Sequence, residues 1–149
     1  MILPRAPTER PELSPAPAPT LAPPHRAGVL IADDEPAIRT ALAEHLSRAG
    51  FAVWTAASGL EALSTYFEHT GDVAVLLLDL GLPDMPGPAV YRRLRAHYPG
   101  VACCFMTADP GQPAAAEARA LGARLLVKPF SLAALTGVIE RLAREEAEA

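Results

Sequence analysis

The sequence has little of several features that mark common functional classes. Only one of its thirteen basic residues is a lysine, and the formal net charge is -4 across 149 residues. Nucleic-acid phosphates are held by clustered lysine and arginine, so we expect no nucleic-acid partner. No apolar run reaches the roughly 18 residues that a membrane span needs, and the amino terminus has no apolar core typical of a secretion signal. The expectation is therefore a cytoplasmic protein with no membrane contact.

Cysteine is scarce, and the common nucleotide-binding glycine motifs are missing. The two cysteines, Cys103 and Cys104, are adjacent in an apolar run, where successive strand side chains point to opposite faces. That spacing favours two small core residues over a disulfide or a metal pair. Neither GxxxxGK(S/T) nor GxGxxG occurs, so the sequence does not support a nucleotide-binding site of either kind.

Composition divides the chain near residue 27. Residues 1–27 hold eight of the sixteen prolines and few bulky apolar side chains. Such a segment cannot bury enough apolar surface to offset the entropy lost on ordering. We predict a disordered, proline-rich leader over 1–27, serving as a spacer or a docking ligand, and one domain over 28–149.

Apolar runs alternate with amphipathic segments from Gly28 onward. The predicted strands are 29–32, 51–57, 73–80, 101–107 and 125–127, and the predicted helices begin at Pro36, at Ser58, after Gly87, around Pro113 and at Ser131. Strands without period-two alternation are typical of a parallel sheet covered on both faces. The sequence therefore predicts a doubly wound α/β domain with five parallel strands and five helices.

Polar residues stand where the predicted strands end. They are Asp33, Asp34 and Glu35 after the first strand, Asp79 at the third, Thr107 at the fourth and Lys128 at the fifth. In an open α/β sheet, ligands bind beyond the carboxyl ends of the strands. Converging carboxylates need a counter-charge, and a divalent cation such as Mg²⁺ together with a compact ammonium would supply it beside a phosphate.

Four stretches, in order along the chain, resemble a known family: VLIADDEP, LLLDLGLPDMPG, FMTA and LLVKPF. From about Gly28 to Leu142 the chain is similar to a two-component response-regulator receiver domain, the family that includes the single-domain chemotaxis receivers. The resemblance implies a flavodoxin-like sheet of order 2-1-3-4-5. It also implies a phosphoacceptor response regulator, not an enzyme in the ordinary sense, that is phosphorylated by a sensor histidine kinase or a histidine phosphotransfer protein.

The resemblance assigns roles to the matching positions. Asp79 would be the phosphoacceptor, Lys128 would pair with a phosphoryl oxygen, and Thr107 would donate its hydroxyl to the phosphoryl group beside the amide of Ala108. The bond from Lys128 to Pro129 would be cis.

The cofactor implied by the resemblance is Mg²⁺. Its ligands would be Asp33, Asp34, Asp79 and the backbone carbonyl of Gly81. With only AREEAEA after Leu142, we expect no room for an output domain, so that output is contact with an unknown downstream protein.

Two features depart from the usual pattern of the family: Leu125 and the ADPGQP segment after Thr107. Leu125 stands where a tyrosine or phenylalanine commonly reports phosphorylation, and we hypothesise that Thr107 signals instead through the loop that follows it. Gly81 has no side chain to shield an acyl phosphate, and Asp109 could orient a water. We therefore predict relatively quick self-dephosphorylation. The ADPGQP segment has Pro110, Gly111 and Pro113 where a longer helix often starts, so we predict that a shorter, more irregular segment follows it.

Two alternatives remain open. A receiver-like binding module that acts independently of phosphorylation is favoured by Leu125 and disfavoured by the complete set of acids, threonine and lysine. A phosphatase of the haloacid dehalogenase type is disfavoured because its chemistry requires a second acid two residues after the strand-end aspartate. Two residues after Asp79, this chain has Gly81.

Overall fold

The computed structural model describes residues 27–148, so nearly all of the predicted leader lies outside the described residues. The strands are β1 (Gly28–Ala32), β2 (Ala52–Ala56), β3 (Val73–Asp79), β4 (Ala102–Thr107) and β5 (Arg124–Val127), and the helices are α1 (Pro36–Arg48), α2 (Gly59–Glu68), α3 (Gly87–His97), α4 (Pro113–Ala120) and α5 (Leu132–Glu148). Strand bounds agree with the predicted ones to within a residue. Over the part of the chain described, no helix is long and apolar enough to cross a membrane.

The five strands form one parallel sheet in the order β2-β1-β3-β4-β5. This order confirms the predicted topology and places β1 and β3 side by side at the centre. Because all strands run the same way, their carboxyl ends meet at one edge of the sheet. The residues predicted to form the site follow or end these strands, so the topology alone brings them to that edge.

Two hydrophobic clusters cover the two faces of the sheet. On one face, α1 and α5 contribute Leu42, Leu46, Leu135, Ile139 and Leu142. On the other, α2, α3 and α4 contribute Ala62, Leu63, Tyr66, Val90, Tyr91, Leu94, Ala115 and Ala118. Burial on both faces explains why β1, β3 and β4 are almost wholly apolar, as their sequences predicted.

Local hydrogen bonds explain where two of the helices begin. The Ser58 hydroxyl accepts from the amide of Glu61 at 3.1 Å, and the Glu61 carboxylate accepts in return from Ala57 at 2.7 Å. Ser58 and Glu61 thus form a capping box, with its return bond shifted one residue toward the amino terminus. At the start of α5, the Ser131 hydroxyl accepts from Ala134 at 3.0 Å.

Candidate functional site

Hydrogen bonds between strands extend past the strand ends and hold the first site residues in line with the sheet. The amide of Asp33 donates to the carbonyl of Ala56 at 3.1 Å, and the amide of Lys128 donates to the carbonyl of Thr107 at 2.7 Å. The bond from Lys128 to Pro129 is cis, as predicted. The backbone around the site is therefore fixed by the sheet itself.

Three carboxylates meet at the centre of this edge. Asp33, Asp34 and Asp79 each offer an oxygen, and these oxygens lie within 4.8 Å of one another. The Asp33 side chain is wholly buried, that of Asp79 is half-buried, and that of Asp34 is exposed. Hard oxygen donors at this spacing, open to solvent on one side, fit a cation such as Mg²⁺ that keeps several of its waters. The arrangement could hold a metal ion.

Lys128 supplies the counter-charge that the carboxylates require. Its Nζ lies 3.1 Å from Oδ2 of Asp33 and 3.7 Å from Oδ2 of Asp79. Burial by itself would lower the pKa of the ammonium, but the hydrogen bond to Asp33 and the charges of Asp79 and Asp33 outweigh it and raise the pKa. The lone lysine is therefore held charged between two of the three acids.

Further contacts explain how a buried carboxylate is tolerated at Asp33. Its Oδ1 accepts from the amide of Glu35 at 2.9 Å, while Oδ2 takes the lysine. The backbone carbonyl of Asp33 accepts from the Arg39 guanidinium at 2.8 Å, which ties α1 to the end of β1. A buried charge with both oxygens hydrogen-bonded costs far less than an unpaired one.

The electrostatics of Asp79 differ from those of an ordinary aspartate. Burial raises the pKa of its carboxyl group, and the charges of Asp33 and Asp34 raise it further. Lys128 and a 3.3 Å hydrogen bond from the amide of Gly81 oppose this without cancelling it. One lysine thus leaves the three acids with excess negative charge, which is a further reason why a cation would bind here.

Two glycines beside Asp79 have different roles. A Cβ at Gly87 would lie 2.8 Å from the carbonyl oxygen of Asp79, so only glycine allows α3 to begin this close to the end of β3. A Cβ at Gly81 would meet nothing within 4 Å. Position 81 is therefore open to a side chain beside the carboxylates, whereas position 87 is closed to one.

The loop after β3 is held by a residue that the sequence analysis did not single out. The Asp84 carboxylate accepts from the amides of Gly59 at 2.7 Å and Leu60 at 2.8 Å. These bonds lower the pKa of Asp84, as expected for an acid at the first turn of a helix. The loop that carries Gly81 is thus tied to the start of α2. An aspartate in a loop gives no sequence signal for a contact 25 residues away.

The Thr107 hydroxyl lies at the predicted strand end but bonds within the loop that follows β4. It donates to the carbonyl of Asp109 at 3.1 Å and accepts from the amide of Asp109 at 2.9 Å. It also accepts from the side-chain amide of Gln112 at 2.8 Å. The Asp109 carboxylate is engaged in the same loop, accepting from Gly111 at 3.0 Å. Gln112 was not predicted as a site residue.

The remaining predicted positions lie around this loop. Ala108 is exposed, directly after Thr107. Leu125 pairs with Phe105 across β4 and β5, and its half-buried side chain packs against the cluster beneath α4. The structure thus brings Asp33, Asp34, Asp79 and Lys128 together, and the threonine hydroxyl makes its hydrogen bonds within its own loop.

A large open cleft lies elsewhere, near the amino ends of the strands. It has a volume of about 1040 Å³ and includes Trp54, Tyr66 and Tyr98 in its lining. No residue of the predicted site lines it. The predicted site therefore lies apart from this cleft.

The fold and the three carboxylates at the strand ends together define a class of protein. It is a doubly wound parallel α/β protein whose polar residues converge beyond the carboxyl ends of its strands. The family model described as "Response regulator receiver domain" matches residues 29–140. The chain belongs to this family, which is the receiver domain of two-component signalling.

Similar proteins support this membership. The sensor kinase CckA of Brucella abortus (strain 2308) is 35% identical over 124 residues, which cover 80% of this chain and 13% of that protein. The DNA-binding transcriptional regulator NtrC of Escherichia coli (strain K12) is 33% identical over 114 residues, covering 76% of this chain and 24% of NtrC. The chain thus spans well under two thirds of the length of either relative.

Solved structures agree in fold. The chemotaxis protein CheY4 of Vibrio cholerae is 31% identical, with a TM-score of 0.71, and the match covers 78% of this chain and 98% of CheY4. The response regulator TrrA of Thermotoga maritima, solved in complex with Mg²⁺-BeF, is 29% identical with a TM-score of 0.69 over 78% of this chain and 98% of TrrA. Both are similar to this chain over nearly their whole length.

Proposed function

We propose that this chain takes a phosphoryl group from a phosphohistidine onto Asp79 and signals by contact with another protein. The observation that carries the proposal is the cluster of three carboxylates with Lys128 between two of them. Such a cluster needs added positive charge, and a phosphoryl group arriving with a divalent cation would be held there by both the cation and the ammonium.

The cation proposed is Mg²⁺, held by Asp33, Asp34, Asp79 and the backbone carbonyl of Gly81. Three carboxylate oxygens within 4.8 Å of one another match its preference for hard oxygen ligands. When bound, Mg²⁺ supplies positive charge to the phosphoryl oxygens and to the attacking carboxylate. The solved complex of TrrA with Mg²⁺-BeF supports this choice of metal.

In the proposed step, one oxygen of the Asp79 carboxylate forms a bond to phosphorus. The bond from phosphorus to the donor's histidine nitrogen breaks, and that nitrogen keeps the electron pair. Lys128, already 3.7 Å from Asp79, pairs with a phosphoryl oxygen. Thr107 donates its hydroxyl and Ala108 its amide to the same group, so the chain contributes mainly positioning and electrostatic stabilisation.

The donor proposed is a sensor histidine kinase or a histidine phosphotransfer protein, and the target proposed is a downstream protein. Receiver domains of two-component systems work with histidine kinases, and similarity to the sensor kinase CckA supports this choice of partner. We further propose that the protein acts in the cytoplasm, without nucleic acid or membrane as a partner of this domain.

Intact-mass analysis after incubation with acetyl phosphate and Mg²⁺ tests the proposal. The wild-type chain gains one phosphoryl group, and Asp79→Asn, which keeps the shape of the side chain and lacks the nucleophile, gains none. A phosphorylated kinase with a rapid quench repeats the test where uptake is slow or loss is quick. No adduct under either condition contradicts the proposal.

A second candidate is a binding module that acts without phosphate. Leu125 favours it, because a leucine lacks the hydroxyl and the volume of the aromatic residue that usually reports phosphorylation in this family. A partner that binds the wild-type chain and Asp79→Asn equally, before and after treatment with acetyl phosphate, would establish this second function.

A further inference from the structure

The hydrogen bonds of Thr107 in this structure use the full capacity of its hydroxyl. A hydroxyl has one hydrogen to donate and two lone pairs that accept. The hydrogen goes to the carbonyl of Asp109, and the lone pairs accept from the amide of Asp109 and from Nε2 of Gln112. Thr107 is also 1% exposed, so no water replaces a lost partner without rearrangement. To donate to a phosphoryl group, the hydroxyl must at least withdraw its hydrogen from the carbonyl of Asp109.

Gln112 occupies an unusual position for a glutamine. It is the N-cap residue of α4, a place where Ser, Thr, Asp and Asn are preferred because their short side chains accept from the first helical amides. The Gln112 side chain makes no such capping bond. Its amide instead donates 2.8 Å back to Thr107. The side chain therefore links the site threonine to the first turn of α4.

Helix α4 is weakly held at that first turn. Over its eight residues it buries two alanines, Ala115 and Ala118, which offer little apolar area. Its firmer anchors lie toward the other end, where Arg92 pairs with Glu117 and Arg95 donates to the carbonyl of Leu121 at 3.0 Å. A change at the first turn therefore disturbs few packed contacts.

We propose that Gln112 is a positioning residue that holds Thr107 in the loop before phosphorylation, and that release of this hydrogen bond carries the phosphorylation signal to the first turn of α4. The inference rests on the proposed function, because it needs a phosphoryl group at Asp79 to draw the hydroxyl away. Release of the bond from Gln112 to Thr107 would also report phosphorylation in a chain that has Leu125 where an aromatic residue usually does so.

The composition of the chain makes the bond directly observable. The sequence contains one glutamine, Gln112, and no asparagine. The side-chain NH₂ signals in an amide correlation NMR spectrum of the full, untagged chain therefore come from this one residue. Addition of Mg²⁺ and beryllium fluoride, a stand-in for the phosphoryl group, is expected to shift this pair together with the backbone amides at the start of α4.

A near-isosteric variant tests the restraining role. Gln112→Met keeps the length of the side chain and removes the amide donor, so Thr107 gives up one hydrogen bond fewer when it moves. We expect the variant to bind beryllium fluoride about threefold to tenfold more tightly in the presence of Mg²⁺. In a Thr107→Val background the same change should have no effect, because the partner of the amide is already missing.

The outcomes separate this inference from the proposed function. Beryllium fluoride that shifts the backbone amides of Asp33 and Gly81 while the Gln112 pair stays unmoved overturns the inference and leaves the phosphoacceptor function standing. Equal affinity of Gln112→Met and the wild type overturns it too. If beryllium fluoride and acetyl phosphate both fail to act on the wild type, the proposed function itself is wrong, and the inference falls with it.

Discussion

The candidate site has two parts that are organised differently. The acidic side consists of Asp33, Asp34, Asp79 and Lys128, and the hydroxyl loop consists of residues 107–112. On the acidic side, the lysine already lies 3.1 Å from one carboxylate and 3.7 Å from another. In the hydroxyl loop, the threonine makes its hydrogen bonds to Asp109 and Gln112. In the acidic side, opposite charges already lie close together, whereas the hydroxyl loop makes its hydrogen bonds within itself.

The difference follows from what holds each part. Sheet hydrogen bonds hold the backbone on the acidic side, and the attraction between Lys128 and two of the carboxylates holds the side chains. The hydroxyl loop is fixed by short-range bonds that can be exchanged for others at small net cost. A rigid charged part suits binding, whereas an exchangeable part suits a response to binding.

Loss of Lys128 should give the largest effect, since it removes the ammonium that lies between Asp33 and Asp79. We expect Lys128→Met to slow phosphorylation of Asp79 by roughly a hundredfold or more, the range typical of one lost transition-state donor. The rate of mass gain with acetyl phosphate measures it. Lys128→Arg is the matched control. It keeps the charge, but the planar guanidinium requires a different geometry, so its phosphorylation rate should lie between those of the wild type and Lys128→Met. A Lys128→Met rate equal to the wild type would contradict the role of the ammonium.

The hydroxyl loop should matter less to the chemical step. Thr107→Val removes one donor and keeps the shape, so we expect phosphorylation to slow by roughly tenfold, with the charges still in place. The same variant should no longer transmit a change to the Gln112 amide. If Thr107→Val slows phosphorylation as much as Lys128→Met does, the acidic side and the hydroxyl loop do not differ in their contribution to the chemical step.

A side chain at position 81 should sharpen the contrast by shielding the acidic side. Gly81 is exposed, and a Cβ there meets nothing within 4 Å, so Gly81→Arg should fold without strain. We expect the variant to lose its phosphoryl group several-fold more slowly, because a long side chain would exclude water from the acyl phosphate. The decay of the intact-mass adduct measures it, with Gly81→Ala as the control for the backbone. Decay as quick as in the wild type would count against the predicted role of Gly81.

The smallest effect concerns stability without a metal. The pKa of Asp79 is raised above its ordinary value of 3.8, chiefly by burial. The unfolded chain therefore loses this proton at lower pH than the folded chain, and the carboxyl group contributes a stability that falls as pH rises through the folded pKa. Near neutral pH with a chelator, Asp79→Asn should melt a few degrees higher than the wild type. Mg²⁺ should raise the melting temperature of the wild type more than that of the variant, and a lower melting temperature for Asp79→Asn would contradict the account.

Much of the fold could be predicted because its signals are local and repeated. Apolar runs without alternation indicate buried parallel strands, and Pro36 and Ser58 mark helix starts. The positions of Asp79 and Lys128 at strand ends followed from the same pattern, since parallel strands bring their ends to one edge. The order of the strands came from the resemblance to the receiver family, because no spacing along the chain fixes it.

The orientation of side chains in loops could not be predicted. Asp84 reaches the amides of Gly59 and Leu60, and this contact depends on how two loops approach in the folded protein. The bond from Gln112 to Thr107 depends on a turn conformation that several hydrogen-bond patterns could produce. A glutamine at an N-cap, five residues after a strand-end threonine, was the available signal.

A two-step NMR titration of the full chain tests whether the acidic side and the hydroxyl loop respond separately. Mg²⁺ is added first, and beryllium fluoride second. We expect Mg²⁺ alone to shift the backbone amides of Asp33, Asp34 and Gly81 and to leave the side-chain amide of Gln112 in place, because the acidic side should bind the cation without help from the hydroxyl loop. Beryllium fluoride should then move the Gln112 signals. Two results would contradict the division of the site into an assembled part and a responsive part. One is a shift of the Gln112 signals with Mg²⁺ alone. The other is the absence of any shift of the Gln112 signals in either step while the amides of the acidic side do shift.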